Sequence, residues 1–201
     1  MADKQRIPVV AGVLLAAGGG RRLGGRPKAL LEHRGRPLVE HAVRALRNGG
    51  CGPVHVVLGA SADEARERAD LSRCTVTVNP RWEDGMGSSL RAGLDALTGS
   101  DADAALVLLV DQPGIGAEAV ARVRSAYRSR TSLVAAVYDG RRSHPVMFGA
   151  ERWADVGAGA VGDQGARAYL EAHRDAITLV ECSDVAQAYD IDTAEDLGHL
   201  E

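Results

Sequence analysis

The stretch Pro8-Val9-Val10-Ala11-Gly12-Val13-Leu14-Leu15-Ala16-Ala17-Gly18-Gly19-Gly20-Arg21-Arg22-Leu23-Gly24-Gly25-Arg26-Pro27-Lys28 decides the fold. Its first half is apolar and rich in β-branched residues, which reads as a buried strand over Pro8–Ala16. Its second half places five glycines and four cations (Arg21, Arg22, Arg26 and Lys28) directly behind that strand. Small residues let backbone amides approach phosphate oxygens, and Arg and Lys supply the opposing charge. A strand that delivers its chain into such a loop opens an α/β fold, with the loop as a candidate anion cradle. The plain alternative is a solvated basic turn.

Spacing narrows the choice of anion. A dinucleotide fingerprint G-x-G-x-x-G would need glycine at position 23, where Leu23 stands, and no acidic residue closes the second strand at Leu58–Gly59. A Walker loop would need Lys after its second glycine, but Gly24 is followed by Gly25. An NAD-type oxidoreductase is therefore disfavoured.

Working outward, punctuation is regular. A helix is expected over Pro37–Asn48, stopped by Gly49–Gly50. A strand follows over Val54–Leu58, a charged helix over Ala62–Ala69, and a strand over Cys74–Asn79. Ser88 or Ser89 is a candidate cap for a helix carrying Leu90, Leu94 and Leu97. Ala104–Val110 is the most continuous apolar run and is expected at the centre of the sheet. Beyond it come a helix over Ala117–Ser129, strands Leu133–Tyr138 and Pro145–Phe148, a helix Gln164–His173, a strand Ile177–Glu181 and a last helix from Thr193. Asp139–Gly165 is less regular, so later strands are expected to run antiparallel at one edge. The whole implies one α/β domain, a Rossmann-like three-layer sandwich with a mostly parallel sheet and helices on both faces.

Composition agrees with one such domain. The chain has 201 residues, 45% hydrophobic and only 3% aromatic, so Val, Leu, Ile and Ala must build the core. A net charge of -3 gives no global attraction to nucleic acid or membrane. Cys51, Cys74 and Cys182 lack metal or redox spacing and read as structural thiols. The N-terminal apolar run is too short to span a membrane and lacks signal-peptide flanks, so a cytoplasmic protein is expected.

In α/β sheets, ligands sit beyond the carboxyl ends of the strands. Asp111 ends the expected central strand, where its carboxylate is a candidate Mg²⁺ ligand or, more plainly, a turn residue. No Ser-His-Asp set or paired-carboxylate arrangement stands out.

The loop fits L-A-A-G-x-x-x-R-x-G-x-x-x-K over Leu15–Lys28. Further blocks follow in order: Asn79–Leu94, Val110-Asp111-Gln112-Pro113, Gly140–Phe148, Gly162–Arg167 and Asp190–Leu197. Together they resemble the molybdenum cofactor nucleotidyltransferases, a branch of the GT-A-like nucleotidyltransferases. The resemblance covers nearly the whole chain, with about 8–113 as a nucleotide-binding half and about 114–201 as an acceptor-binding half. One departure is Val110 before Asp111, where many relatives carry Gly.

The resemblance implies roles. Leu15, Ala16, Ala17, Gly18, Gly19 and Gly20 would wrap the nucleotide and its phosphates. Arg22 would neutralise the departing pyrophosphate, and Lys28 would follow the α-phosphate. Arg21 and Arg26 are equally well read as solvated. Asn79, Gly87, Ser88 and Ser89 would meet the base and ribose. Ala17, where guanylyltransferase relatives carry Gly, points to CTP. Asp111 would hold Mg²⁺ with Asp190 as second ligand, while Asp192 is equally well read as a helix cap. Arg141, Arg142, His144, Asp163 and Arg167 would receive a phosphorylated, molybdopterin-type acceptor, with Gln164 at the same mouth. A client molybdoenzyme or its chaperone is the implied protein partner. The alternatives are guanylyl transfer, transfer to another phosphorylated acceptor, and a non-catalytic protein that binds and delivers nucleotide or cofactor.

Overall fold

A computed structural model describes residues 6–200. The flank Met1–Gln5, part of the segment read for a leader, and Glu201 lie outside them. β1 (Val10–Ala16) is buried at all seven positions and pairs in parallel with β4 (Val54–Leu58) and β6 (Ala104–Leu109). Two-sided burial is why these segments read as unbroken apolar runs instead of alternating ones. β5 (Thr75–Val78), β7 (Leu133–Tyr138), β8 (Arg141–Gly149) and β9 (Thr178–Glu181) complete a seven-stranded sheet in the order β5-β4-β1-β6-β8-β7-β9. β6 is fourth of the seven, the expected central place.

Helices α1 (Leu38–Asn48), α2 (Ala62–Arg68) and α4 (Ala117–Ser125) cover one face, burying Leu38, Leu46, Ala65 and Val120. Helices α3 (Met86–Asp95), α5 (Trp153–Gly159) and α6 (Arg167–Ala172) cover the other, burying Leu90, Leu94, Val156 and Leu170. A two-strand hairpin of β2 (Glu32–His33) and β3 (Arg36–Pro37) stands apart.

Several expectations are corrected. The antiparallel strand is not at an edge: β8 lies inside the sheet between β6 and β7, reversed against both, and the edge strand β9 is parallel to β7. The cause is the turn Asp139-Gly140, with φ of 49 and 76, which sends the chain straight back along β7. That hairpin also lengthens the expected Pro145–Phe148 strand to Arg141–Gly149. Ser88 does not cap α3, because the helix starts at Met86 and its cap residue is Gly85. The helix expected from Gln164 begins at Arg167, after Gly162 and Gly165 turn the chain with positive φ. The helix expected from Thr193 is a 3-10 segment, Glu195–Leu200.

Candidate active site

The carboxyl ends of β1 and β6 open into a cleft of about 610 Å³, lined by residues from the loop after β1, the 82–89 segment, the end of β6 and the 190–192 segment. The loop after β1 is shaped by its own backbone. Gly20 has φ 62, and a Cβ there would stand 1.8 Å from the Arg26 carbonyl oxygen, so no side chain fits. The Gly20 carbonyl accepts from the amides of Leu23 and Gly25, curling the loop back on itself. Arg26 is spent on that curl, since its Nε donates to the Leu23 carbonyl. Arg21 and Arg22 instead line the cleft, beside Gly18 and Gly19.

Lys28 is the most constrained cation. Its Nζ donates to Asp111 Oδ2 at 2.7 Å and to Asp192 Oδ1 at 2.5 Å. Burial would lower its pKa, but the two carboxylates overcome that and raise it. Asp192 is thus turned into the cleft. The capping role falls to Asp196, whose Oδ2 accepts from the amides of Asp192 and Thr193. Asp190 also lines the cleft and takes a hydrogen bond from Gln112 Nε2 at 2.8 Å. Desolvation by the cleft wall, with Asp111 and Asp192 nearby, pushes its carboxyl above the usual range against that bond. The 190–192 segment is pinned from behind: Ile191 is fully buried and its amide donates to the Asp111 carbonyl at 2.9 Å.

Two carboxylates, Asp111 and Asp192, therefore hold one ammonium on the cleft floor, with Asp190 beside them on Gln112. Among the described residues no group of three His, Cys, Asp or Glu forms a ready-made ion cage. Gln112 Oε1 is buried beside them without a partner. This donor set fits a hard divalent cation such as Mg²⁺, which takes one or two carboxylates and completes its shell from phosphates and water.

The other sequence-expected residues divide. Leu15, Ala17, Gly18, Gly19, Ser89 and Asp163 line the cleft with Arg22, Lys28, Asp111 and Asp190. Ala16 faces the core at 1% exposure. Asn79 is buried and structural: its amide nitrogen donates to the hydroxyls of Ser88 and Ser89, and its oxygen accepts from the Arg81 amide. Ser88 returns its hydroxyl proton toward the carbonyls of Arg81 and Gly85. Gly87 lets α3 approach the backbone of Ala160 and Val161, which a Cβ would meet at 2.7 Å. The expected acceptor residues Arg141, Arg142, His144 and Arg167 do not reach the cleft; Arg142 pairs with Glu171 at 2.8 Å, and His144 is held neutral by burial, its pKa pulled down to about 4.

Sequence reasoning missed the wall formed by Trp82, Glu83 and Met86. Trp82 packs on Gly19 and Gly59; a Cβ on Gly59 would lie 2.4 Å from Trp82 Cβ and 2.8 Å from Ala17 Cβ. With two Trp in the whole chain, an isolated indole in a polar block was the available signal.

Comparison with known proteins places this geometry. Residues 12–177 match the MobA-like NTP transferase domain. Nicotine blue oxidoreductase of Paenarthrobacter nicotinovorans is 41% identical over 201 residues, covering 96% of this chain and 97% of that protein. Molybdenum cofactor guanylyltransferase of Shewanella halifaxensis is 28% identical over 139 residues, 69% of this chain and 66% of that protein. The crystal structure of the Mycobacterium tuberculosis rv0371c homolog from Mycobacterium sp. strain JC1 is 29% identical, with a TM-score of 0.81 over 95% of this chain and 94% of that one. With its sheet order, glycine-rich loop and Lys28–Asp111 cleft in place, the chain belongs to the MobA-like NTP transferase family and is a nucleotidyltransferase.

Proposed function

We propose that the chain transfers the cytidylyl group of CTP to a terminal phosphate of a molybdopterin-type cofactor, assisted by Mg²⁺, and releases pyrophosphate. The observation that carries this is the meeting of Lys28 with Asp111 at 2.7 Å, at the mouth of a glycine-curled loop that also presents Arg22. In the reaction an acceptor phosphate oxygen bonds to the α-phosphorus while the bond from that phosphorus to the bridging oxygen breaks. Such an acceptor is already anionic near neutral pH, so no side chain has to remove a proton from it.

Gly18 and Gly19 offer backbone where phosphates would lie, Arg22 balances charge on the leaving pyrophosphate, and Lys28 follows the α-phosphoryl group. Asp111 and the neighbouring Asp190 and Asp192 would hold Mg²⁺, which when bound adds charge neutralisation at the phosphates. Ala17 lies on the cleft against Gly59 and Trp82, where its methyl takes up room beside the base, in support of a pyrimidine. Asp163 remains as an acceptor-side group; Arg141, Arg142, His144 and Arg167 require the acceptor to extend beyond the cleft. The division into a nucleotide half near 8–113 and an acceptor half near 114–201 belongs to the same proposal, as does a client molybdoenzyme or chaperone. Among the described residues no helix is long and apolar enough to cross a membrane.

Pyrophosphate release measured with each of the four NTPs and Mg²⁺, with and without molybdenum cofactor, tests the proposal. Release with CTP that depends on the cofactor supports it, and a GTP preference replaces cytidylyl by guanylyl transfer. No release with any pair leaves a non-catalytic delivery role or an oxidoreductase.

A second reading rests on the relative named for an oxidoreductase, matched along almost its full length. Turnover of nicotine blue in a redox assay, together with silence in the pyrophosphate assay, would favour it.

A further inference from the structure

On the cleft floor one ammonium stands where two carboxylates converge. Lys28 Nζ sits between Asp111 Oδ2 and Asp192 Oδ1, which are contributed from positions 83 and 164 residues away. Its side chain is 15% exposed, and those of Asp111 and Asp192 are 20% and 44% exposed. The ammonium thus occupies the point where two anionic oxygens from different elements converge, the place a dication would take. An ammonium and a divalent ion cannot share it, because like charges at contact distance in a partly desolvated cleft repel strongly. Yet the nucleotidyl-transfer reading asks Lys28 to reach a phosphate and Asp111 to face a cation.

We propose that Lys28 is the resident counter-ion of the Asp111–Asp192 pair and exchanges its place with a divalent cation when a nucleotide arrives. This rests on the divalent-cation reading of the site. Nucleotide phosphates offer the ammonium a new anionic partner; as Lys28 turns to them, Asp111 and Asp192 are released to a metal. Metal and nucleotide then help each other, because each makes the other's partner available, and the coupling is reciprocal. Without nucleotide, the clasped Lys28 blocks the carboxylates and keeps metal affinity low. Asp192 acts here as a positioning residue: it holds Lys28 in wait and receives the cation afterwards.

The geometry supplies room for the exchange. The 190–192 segment is fixed from behind by the Ile191 amide on the Asp111 carbonyl, so the carboxylates stay while the longer lysine chain moves. Gly18 and Gly19 line the same cleft as Lys28, so the open space of the cleft joins the ammonium to the loop.

Manganese is the probe, counted by electron paramagnetic resonance of free Mn²⁺ in the absence of nucleotide. The whole chain is compared with Lys28→Met, which keeps the length of the side chain and removes its charge; Lys28→Gln substitutes if the first variant does not fold by circular dichroism. The variant is expected to bind Mn²⁺ at least about tenfold more tightly than wild type, a gain of about 1.4 kcal/mol. Adding Asp192→Asn to it is expected to remove most of that gain. In wild type, a non-hydrolysable CTP analogue should tighten Mn²⁺ binding, and Mn²⁺ should tighten the analogue by the same factor. Equal Mn²⁺ affinity of wild type and Lys28→Met without nucleotide, alongside normal binding with it, overturns the exchange and leaves the metal reading standing. No Mn²⁺ binding by either protein in either state overturns both.

Discussion

Lys28 carries one positive charge into the company of Asp111, Asp190 and Asp192, and most of the chemistry proposed for this chain turns on that side chain. Lys28→Ala should lower the rate of pyrophosphate release by about two to three orders of magnitude, the scale of losing one charged contact to the developing transition state. A circular dichroism spectrum unchanged from wild type would show the fold is kept, and near-normal turnover would remove Lys28 from the reaction. At Ala17 the consequence is choice of substrate. Ala17→Gly takes away a methyl beside Trp82 and should shift the ratio of kcat/KM for CTP over GTP toward GTP by roughly tenfold, the discrimination a hydrophobic pocket draws from one such group. An unaltered ratio would move base selection to the Trp82 and Met86 wall. These residues also show what a sequence can disclose. Asp111 was legible from its place at the end of the central strand, whereas charge gave Lys28 only as one of four loop cations and the resemblance singled it out. Asp192 was ambiguous, since an aspartate before a helical turn caps as readily as it binds, and its bond to Lys28 together with the Asp196 carboxylate on its amide separates the two.

Among the elements, α3 does most to connect the two sides of the cleft. Arg91 on this helix donates from Nε to the Gly157 carbonyl at 3.1 Å and from Nη2 to the Ala160 carbonyl at 2.8 Å, so it satisfies carbonyls at the end of α5. The segment it holds leads directly to Asp163. Arg91→Ala should cost about 2 kcal/mol of unfolding free energy in urea titration, by loss of two charge-assisted bonds to the end of α5. It should also raise KM for the acceptor more than for the nucleotide. The elements themselves were largely visible in advance. Strands buried on both faces gave runs whose ends fell within a residue or two, as at Val54–Leu58 and Leu133–Tyr138. What escaped was the path through 139–165. There the Asp139-Gly140 hairpin was a readable turn signal, but the placement of β8 between β6 and β7 is set by which strand has an open edge, a property of the assembled sheet. α5 escaped as well, being short and glycine-bearing, and held by Arg91 instead of by a strong pattern of its own.

For the molecule as a whole, imidazoles drawn away from water, buried His55 and half-buried His144, couple stability to pH. Burial draws the His144 pKa down to about 4 from 6.5 and lowers that of His55, so the folded chain resists protons that the unfolded chain accepts. A depressed pKa gives stability that is complete above the unfolded value and falls away as pH drops toward the folded value. Unfolding free energy should therefore decline between pH 6.5 and about 4, with His144 alone accounting for about 2 kcal/mol near pH 5. Denaturant titrations at pH 7 and pH 5 measure this, and His144→Gln should flatten the difference; an equal slope in wild type and variant would locate the titrating group elsewhere.

The clasp between Lys28 and Asp192 has a temporal meaning too. Its partners stand 164 positions apart, while β1, β4 and β6, which frame the glycine loop, are all complete by residue 109. A growing chain builds from its N-terminus and can pair those strands while the remainder is still being made. Until residue 192 leaves the ribosome the loop lysine has no Asp192 to hold it, and the cleft floor lacks its 190–192 side. The site is thus completed well after the strands that frame it, and synthesis itself orders those strands before the chemistry.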